Sequence, residues 1–568
     1  MSHAAFLSAI TDSPDDDTAR LVYADFLDEQ GSPGEKDRAE FIRTQVRLGT
    51  LGETDPERTA LEDRENELLR KYERVWIGPL HDRLARGLAR WRFERGFLTT
   101  VQVTAAALAN RGAALFEAHP VSRVRLLEVG TGAERSLARA RWWSHVRDLD
   151  TGRTAPTFAR LEALLRAPHL TRLRAFGFDT SVENGPNPIL PDLLATSPAT
   201  ANLEELHVRD RRRDPAELLP FLNGSRVRVL KLSQNALTQE GLRALLTSPF
   251  AAGDVRVHLE GPRLGPELWP AFTAKKARPV VERIGFGTRT QPAALDLTTL
   301  LSSPAAANLT ALDLGETKLS GAAIRELAAT DFLARATELR LTRCYVGVKG
   351  MAALAAAPAP NLRKLALGET ELKARGVFKL CEAPWADALT ELDLMRNAID
   401  DDALADMAGS GRFTNLRHLD LRVNSPDLER CTVAIGDRGV MALAAAPNFA
   451  RLRSLNLYRT RVTARGVEAL LSSPHLRLAG LELGGYDLGS DLPAVLARSP
   501  ALARLTALSL SFTPSLGGDA LLPLAESPHL SPLCRLDVRY CHVSDRVAAA
   551  LAARLGRRLE NHPTVETW

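Results

Sequence analysis

Asn361-Leu-Arg-Lys-Leu365-Ala-Leu367, Ala388-Leu-Thr-Glu-Leu392-Asp-Leu394 and Asn415-Leu-Arg-His-Leu419-Asp-Leu421 are three consecutive copies of one phrase, L-x-x-L-x-L, spaced about 27 residues apart. Further copies stand at Asn308–Leu314, Arg451–Leu457 and Arg504–Leu510. Alternation in L-x-L puts the leucines on one face of a short strand and the residues between them on the other. The middle apolar residue is followed outward through Val101, Leu127, Leu149, Phe176, Leu206, Leu230, Val257, Ile284, Leu312 and Leu339 on one side, and through Leu455, Leu481, Leu508 and Leu536 on the other. That makes roughly seventeen units, degenerate toward the N-terminus.

The second half of each unit reads as a helix. Gly241–Pro249, Gly350–Pro358, Gly439–Pro447 and Gly466–Pro474 carry apolar residues at helical spacing and stop at a proline, which cannot continue a helix. One strand and one helix per unit describe a solenoid, with strands lining the inside of an arc and helices its outside. The expected α/β architecture is a curved parallel sheet from about Leu98 to Val538.

The unit resembles the leucine-rich repeats of the ribonuclease-inhibitor type, which share this length and carry a helix on the convex side. The resemblance implies a horseshoe that binds other proteins on its concave face, although the fold does not choose the partner.

Five residues after the middle leucine stand Asn235, Thr317, Cys344, Thr370, Asn397, Asn424, Thr460, Thr513 and Cys541. These types hydrogen-bond backbone where a buried strand turns away, so Cys344 and Cys541 are expected to be structural. With Cys381, Cys431 and Cys534 they make five cysteines without a C-x-x-C pair, which is neither a disulfide nor a zinc framework.

The chain of 568 residues carries a net charge of +4, small for its length. Arg211-Arg-Arg213 is flanked by Asp210 and Asp214 and reads as a solvated ridge rather than a nucleic-acid patch. Met1-Ser-His-Ala-Ala-Phe-Leu7 has no basic n-region before a long apolar core, and charges interrupt every later apolar stretch. A cytoplasmic location without a membrane span is expected.

Residues 1–80 lack the repeat. Ser13-Pro14-Asp15-Asp16-Asp17 predicts a helix start with acids in its first turn, and Gly31-Ser-Pro-Gly34 a stop. A second helix carries Phe41, Ile42, Val46 and Leu48, and a charged one runs from about Pro56 to Tyr72. Phe6–Ile10, Pro14–Glu29 and Ala39–Gln45 closely resemble the bacterial repeat-companion domain that precedes repeat arrays in planctomycete and myxobacterial proteins, with Phe26 where tryptophan is more usual. The resemblance implies a bacterial repeat-array context and carries no activity with it. The acids of this segment are explained by the helix dipole and by Arg20, Arg38 and Arg43. The expected organisation is a helical capping domain at 1–80, degenerate opening repeats at 81–145, the array at 146–558 and a tail at 559–568.

No G-x-x-x-x-G-K-[ST], G-x-S-x-G or H-E-x-x-H occurs, and Gly130-Thr-Gly132 lacks the third glycine of a dinucleotide loop. His169, His475 and His529 share a Pro-His-Leu step of the repeat, a structural place rather than a metal site. No catalytic residue, metal or cofactor is implied. What remains is the concave face, where Arg343, Met395, Arg396, Arg422, Tyr458, Arg459, Tyr486, Phe512, Arg539 and Tyr540 supply types enriched at protein interfaces. Asp313, Glu316, Glu369, Asp393 and Asp420 run beside them. About nine extra residues between Leu419 and Leu455 project a loop, 423–436, a second candidate contact.

These observations read as non-enzymatic recognition of another protein through the concave face and that loop, by a scaffold, inhibitor or regulatory subunit. A narrower form is a sensor or regulator of a separate effector, such as a protease or nuclease in bacterial defence. GTPase activation, known for the similar repeats of the Ran activators, would need a positioned Arg or Asn that cannot be singled out here. Nucleic-acid binding would need a coherent basic stripe, which the interspersed acids oppose.

Overall fold

The computed structural model describes residues 2–52, 55–78, 88–127, 134–152, 158–179, 190–209, 214–233, 235–261, 266–286, 296–424, 434–486 and 488–561. They form two compact units, Met1–Gly285 with Ser302–Asn308, and Phe286–Leu301 with Leu309–Trp568.

The first unit opens with helices His3–Asp12, Thr18–Gln30, Pro33–Thr50 and Arg58–Ile77. Ser32 caps the third with a side chain that accepts from the Glu35 amide, and Pro33 sits at the first helical position, where no amide is missed. The second helix begins four residues later than Pro14 predicts. Asp16 Oδ1 accepts from the Thr18 amide at 2.9 Å, so the acidic run forms the turn before the helix instead of its first turn. Phe6, Ile10, Tyr23, Leu27, Ile42 and Val46 form the core of these helices, and Phe97 from the following strand completes it. Arg43 pairs with Asp25 and Asp28, at 2.7 and 2.6 Å, as its charge predicts. Among the described residues Arg38 makes no ion pair with the acids.

Leu88–Glu94 and Phe97–Val103 form an antiparallel hairpin, whose first strand precedes the parallel sheet expected from about Leu98. It covers the edge of the first rung, which would otherwise present unpaired backbone groups. Gln45, 5% exposed, fastens the hairpin to the helices, accepting from the Gly96 amide at 2.6 Å and donating to the Phe93 carbonyl at 3.2 Å. Gly96 has φ 87°, and Ile42 presses against the place where a Cβ would stand. Asp15 and Asp12 reach Arg147 and Arg172, at 2.8 and 3.4 Å.

From Phe97–Val103 the rungs run parallel through Arg123–Leu126, Asp148–Asp150, Ala175–Asp179, Glu205–Arg209, Val229–Ser233 and Arg256–Gly261. The register pairs Val101 with Val124 and Val124 with Leu149. The middle residue of that rung is therefore Val124 and not Leu127, because the alternation Val124-x-Leu126 is what buries.

In the second unit the register pairs each middle leucine with the next, from Leu312 through Leu339, Leu365, Leu392, Leu419, Leu455, Leu481 and Leu508 to Leu536. Each is at most 2% exposed, a burial that stabilises by about 1.5–3 kcal/mol per side chain. Leu559–Glu560 adds a last parallel strand inside what the sequence reads as a tail. Helices such as Gly321–Ala328, Asp401–Gly409, Ala464–Ser472 and Asp545–Leu555 follow the strands, begun by side-chain caps from Ser320, Asp400, Thr463 and Ser544. The fold is the α/β solenoid that the period predicts. Among the described residues no helix is long and apolar enough to cross a membrane.

Candidate functional site

In the second unit each strand from the Leu312 rung to the Leu536 rung is only three residues long, as in Glu391–Asp393, and the chain then makes a repeated turn. Leu394 is buried, Arg396 has φ 51° and Asn397 is buried again. The same left-handed conformation recurs four residues after the middle leucine at Glu316, Arg343, Glu369, Val423, Arg459, Gly485, Phe512 and Tyr540, with φ from 55° to 77°. Sequence offers no sign of it, since glycine fills the place once in these nine rungs.

The polar residue one step on holds the turn. Thr317, Thr370 and Thr460 donate to the carbonyl three residues earlier at 2.6–2.7 Å. Asn397 donates to Leu367 and Leu394 carbonyls, at 2.7 and 3.2 Å, and accepts from the Thr370 and Leu372 amides, at 3.0 and 3.2 Å, so it stitches two rungs. Asn424 repeats this one rung further. Cys344 and Cys541 are fully buried and reach the Leu314 and Leu510 carbonyls at 3.3 and 3.0 Å. Burial pushes the Cys541 thiol up to about 11 and that of Cys344 upward. Asn235 is buried like the others but makes no such bond.

The ten candidate surface residues therefore lie past the strand ends, and they separate into two groups. In the first, Arg343 pairs with Glu316 and Glu369, at 2.6 and 3.2 Å, and Arg396 with Glu369 at 3.4 Å, a charge ladder along the left-handed row. Arg422 lies 3.2 Å from Asp420 and 3.4 Å from the Met395 sulfur. Arg539 pairs with Asp537 and Glu560, at 2.7 and 3.4 Å. Mutual pairing engages these cations within the protein.

The second group is aromatic. Phe512 and Tyr540 stack with centroids 4.1 Å apart, and Tyr458 meets Phe512 edge-on at 6.3 Å. The Arg459 guanidinium lies 5.6 Å from the Tyr458 ring centre. A Cβ at Gly485 would collide with Arg459 and stand 3.0 Å from the Tyr458 ring, so glycine there lets the two side chains lie across that rung. Tyr486 follows directly and is half-buried, with its hydroxyl pushed upward by burial. Phe512 and Tyr540 remain 44% and 42% exposed, which is unusual for stacked rings of this size.

Beside these turns the sheet face carries a groove of about 250 Å³ over the rungs from Glu338 to Glu482. Its column of outward residues includes Asp393, Asp420, Asn456 and Glu482. Burial pushes the Asp420 carboxyl up to about 7 against the pull of Arg422, and raises Asp393 and Glu482 in the same direction. Glu338, Lys364, Glu391 and His418 line it too, and strand alternation would have found them, since each directly precedes a middle leucine. Lys364 and Glu391 form an ion pair at 2.5 Å. Of the inserted segment 423–436, residues 425–433 lie outside the described residues, as do Cys431, Arg211–Arg213 and Gly130–Gly132.

A family model described as Leucine Rich repeat matches residues 389–408, the rung of Leu392 with its turn and helix start. Among solved structures the chain is similar to the Rad7 and Elc1 complex in yeast, with 14% identity and a TM-score of 0.42, over 80% of this chain and 95% of that one. It is also similar to an internalin, inlF, from Listeria monocytogenes, with 16% identity and a TM-score of 0.31, over 65% and 84% of the two chains. No curated protein sequence matches it.

Proposed function

We propose that the chain recognises another protein through the strand-end surface of its second unit, as a scaffold, inhibitor or regulatory subunit. The exposed Phe512–Tyr540 stack, extended by Tyr458 and Arg459, carries this reading. Aromatic and guanidinium groups gathered on neighbouring rungs are the types that dominate interface energetics once a partner excludes water from them. The ion-paired arginines form the polar margin of that surface. The segment 423–436 leaves the same row of turns and belongs to the proposed contact. A narrower form of this reading has an effector as the partner, such as a protease or nuclease in bacterial defence.

Affinity capture from the native host with mass spectrometry identifies the partner, and affinities of variants then locate the contact. Phe512→Ala with Tyr540→Ala is expected to cost about 2 kcal/mol or more, roughly thirtyfold in affinity, while Arg343→Ala changes little. Unchanged affinity in the double variant would remove the aromatic surface from the interface.

A further inference from the structure

A cavity of about 480 Å³ lies in the first unit, against helices Thr18–Gln30, Pro33–Thr50 and Arg58–Ile77. Tyr23, Tyr72, Trp76 and Phe97 give it aromatic walls beside aliphatic ones, and Arg38 and His119 are among its polar lining groups, with Ser32 and Glu35. The Arg38 guanidinium stands 4.5 Å from the Trp76 ring centre and 5.4 Å from that of Phe97, and Phe41 and Phe93 are within 5.8 Å. Its Nη1 is enclosed and has no hydrogen-bond partner. No ion pair is made by Arg38 among the described residues. Glu35, the one carboxylate among the described lining residues, instead accepts from the Ser32 hydroxyl.

A partly buried guanidinium with an enclosed, unpartnered Nη1 and no counter-ion is costly, because ring faces return only part of the hydration that it loses. Burial also holds the Arg38 pKa down to about 10, which still leaves it charged at neutral pH. His119, 7% exposed and 3.3 Å from the Ile77 carbonyl through Nε2, is held down to about 4 by burial, with Arg38 acting in the same direction. The cavity thus offers one full positive charge, a donor that lacks an acceptor, and flat apolar walls.

We infer that this cavity is a binding site for a carboxylate carried on a flat apolar group, with the carboxylate on Arg38 and the apolar group between the aromatic walls. A carboxylate accepts from the planar guanidinium fork, supplies the missing counter-charge and leaves the rings to pack against carbon. Its size lies within the range of small-molecule sites. The same chemistry is offered by a free aromatic acid and by the terminal carboxylate of a peptide ending in an aromatic residue.

Calorimetric titration of the full chain with benzoate, N-acetyl-phenylalanine, benzamide and inorganic phosphate tests this. Saturable binding of benzoate or N-acetyl-phenylalanine is expected, roughly tenfold or more weaker for uncharged benzamide, and weakened as much by Arg38→Met. Tighter binding of N-acetyl-phenylalanine identifies a chain end as the source, and tighter binding of benzoate a free acid. Equal binding of benzoate and benzamide, equal binding by Arg38→Met, or phosphate binding with neither acid bound would each overturn the assignment, as would no binding of either acid at about 10 mM. If Arg38→Met does not fold, the wild-type chain still decides. Benzoate beside Arg38 is expected to raise the His119 pKa, followed by its ring proton shifts, and an unmoved titration under saturating benzoate sinks the site. The outcome is independent of the second unit's surface.

Discussion

Val423 is a β-branched residue held at φ 57°, where steric crowding costs an L-residue on the order of 1 kcal/mol and glycine or asparagine much less. From Glu316 to Phe512 each residue in this row is fixed there by its neighbour, because its amide donates across to the next rung. Val423 donates to the Tyr458 carbonyl at 2.8 Å, Arg459 to Gly484 at 2.8 Å and Phe512 to Arg539 at 2.9 Å. Val423→Asn keeps that amide and relieves the crowding, so we expect a stability gain of about 1 kcal/mol in denaturant midpoint. A loss would show that the valine contributes packing that outweighs the strain. The buried thiols lead to a second expectation. Burial holds Cys344, Cys381, Cys534 and Cys541 in the thiol form, the last three at about 12, 12 and 11, so site-resolved labelling of the native protein with a thiol reagent should be slow at all four and accelerate on unfolding. Fast native labelling of Cys344 or Cys541 would contradict their place in the turn.

At the scale of the strand and its turn, Asn397 carries more than its own rung. Alanine there leaves the Thr370 and Leu372 amides without their acceptor, while the Leu367 and Leu394 carbonyls keep the Thr370 hydroxyl and the Asn424 side-chain amide, and we expect a loss of about 3 kcal/mol, each unsatisfied buried group costing roughly 1–3 kcal/mol. Threonine retains the bond within the rung, as Thr370 does, so Asn397→Thr should fall between wild type and alanine in chemical denaturation. The recurring Asn, Thr and Cys made this position legible in the sequence, but not the difference between a side chain that serves one rung and one that bridges two. The left-handed row was illegible for a physical reason, since Glu, Arg and Phe carry no turn preference and are forced there by cross-rung hydrogen bonds. Likewise the sequence grouped Arg343, Arg396 and Tyr540 as one surface, and only geometry separates the paired cations from the exposed rings. Asp420 on the adjoining face gives a pH prediction. The unfolded carboxyl titrates near pH 4 and the folded one at about 7, so the folded state holds more protons between them and stability falls as pH rises through that window. Asp420→Asn keeps the acceptor for the Arg422 amide and should be more stable than wild type at pH 8 by about 1 kcal/mol or more, with a flatter profile from pH 4 to 7. Parallel profiles for the two proteins would assign the pH dependence to other groups.

Over the whole molecule the period of about 27 residues was enough to place the rungs, because each unit buries its leucines only against the next and the pattern must repeat for any of it to fold. Two features escaped that logic. The antiparallel Leu88–Glu94 strand lies outside the period, and its role of covering an edge follows from what a sheet end lacks rather than from a motif. The rung of Val124 was misplaced by three residues because Leu127 also fits a leucine count while only Val124 fits the alternation. Nearest-neighbour construction has a measurable consequence within the second unit. Leu392 pairs in register with Leu365 on one side and Leu419 on the other, whereas Leu536 is separated from it by four intervening rungs. Leu392→Ala removes buried carbon that costs about 2–5 kcal/mol, and in a one-dimensional array that loss is shared with adjacent interfaces and decays along the stack. Hydrogen exchange read by mass spectrometry should therefore accelerate in peptides covering 364–366 and 418–420 and stay near wild type in those covering 535–537. Uniform acceleration through residue 537 would mean that the unit unfolds as one cooperative block, and that the coupling between rungs exceeds the stability of any single one.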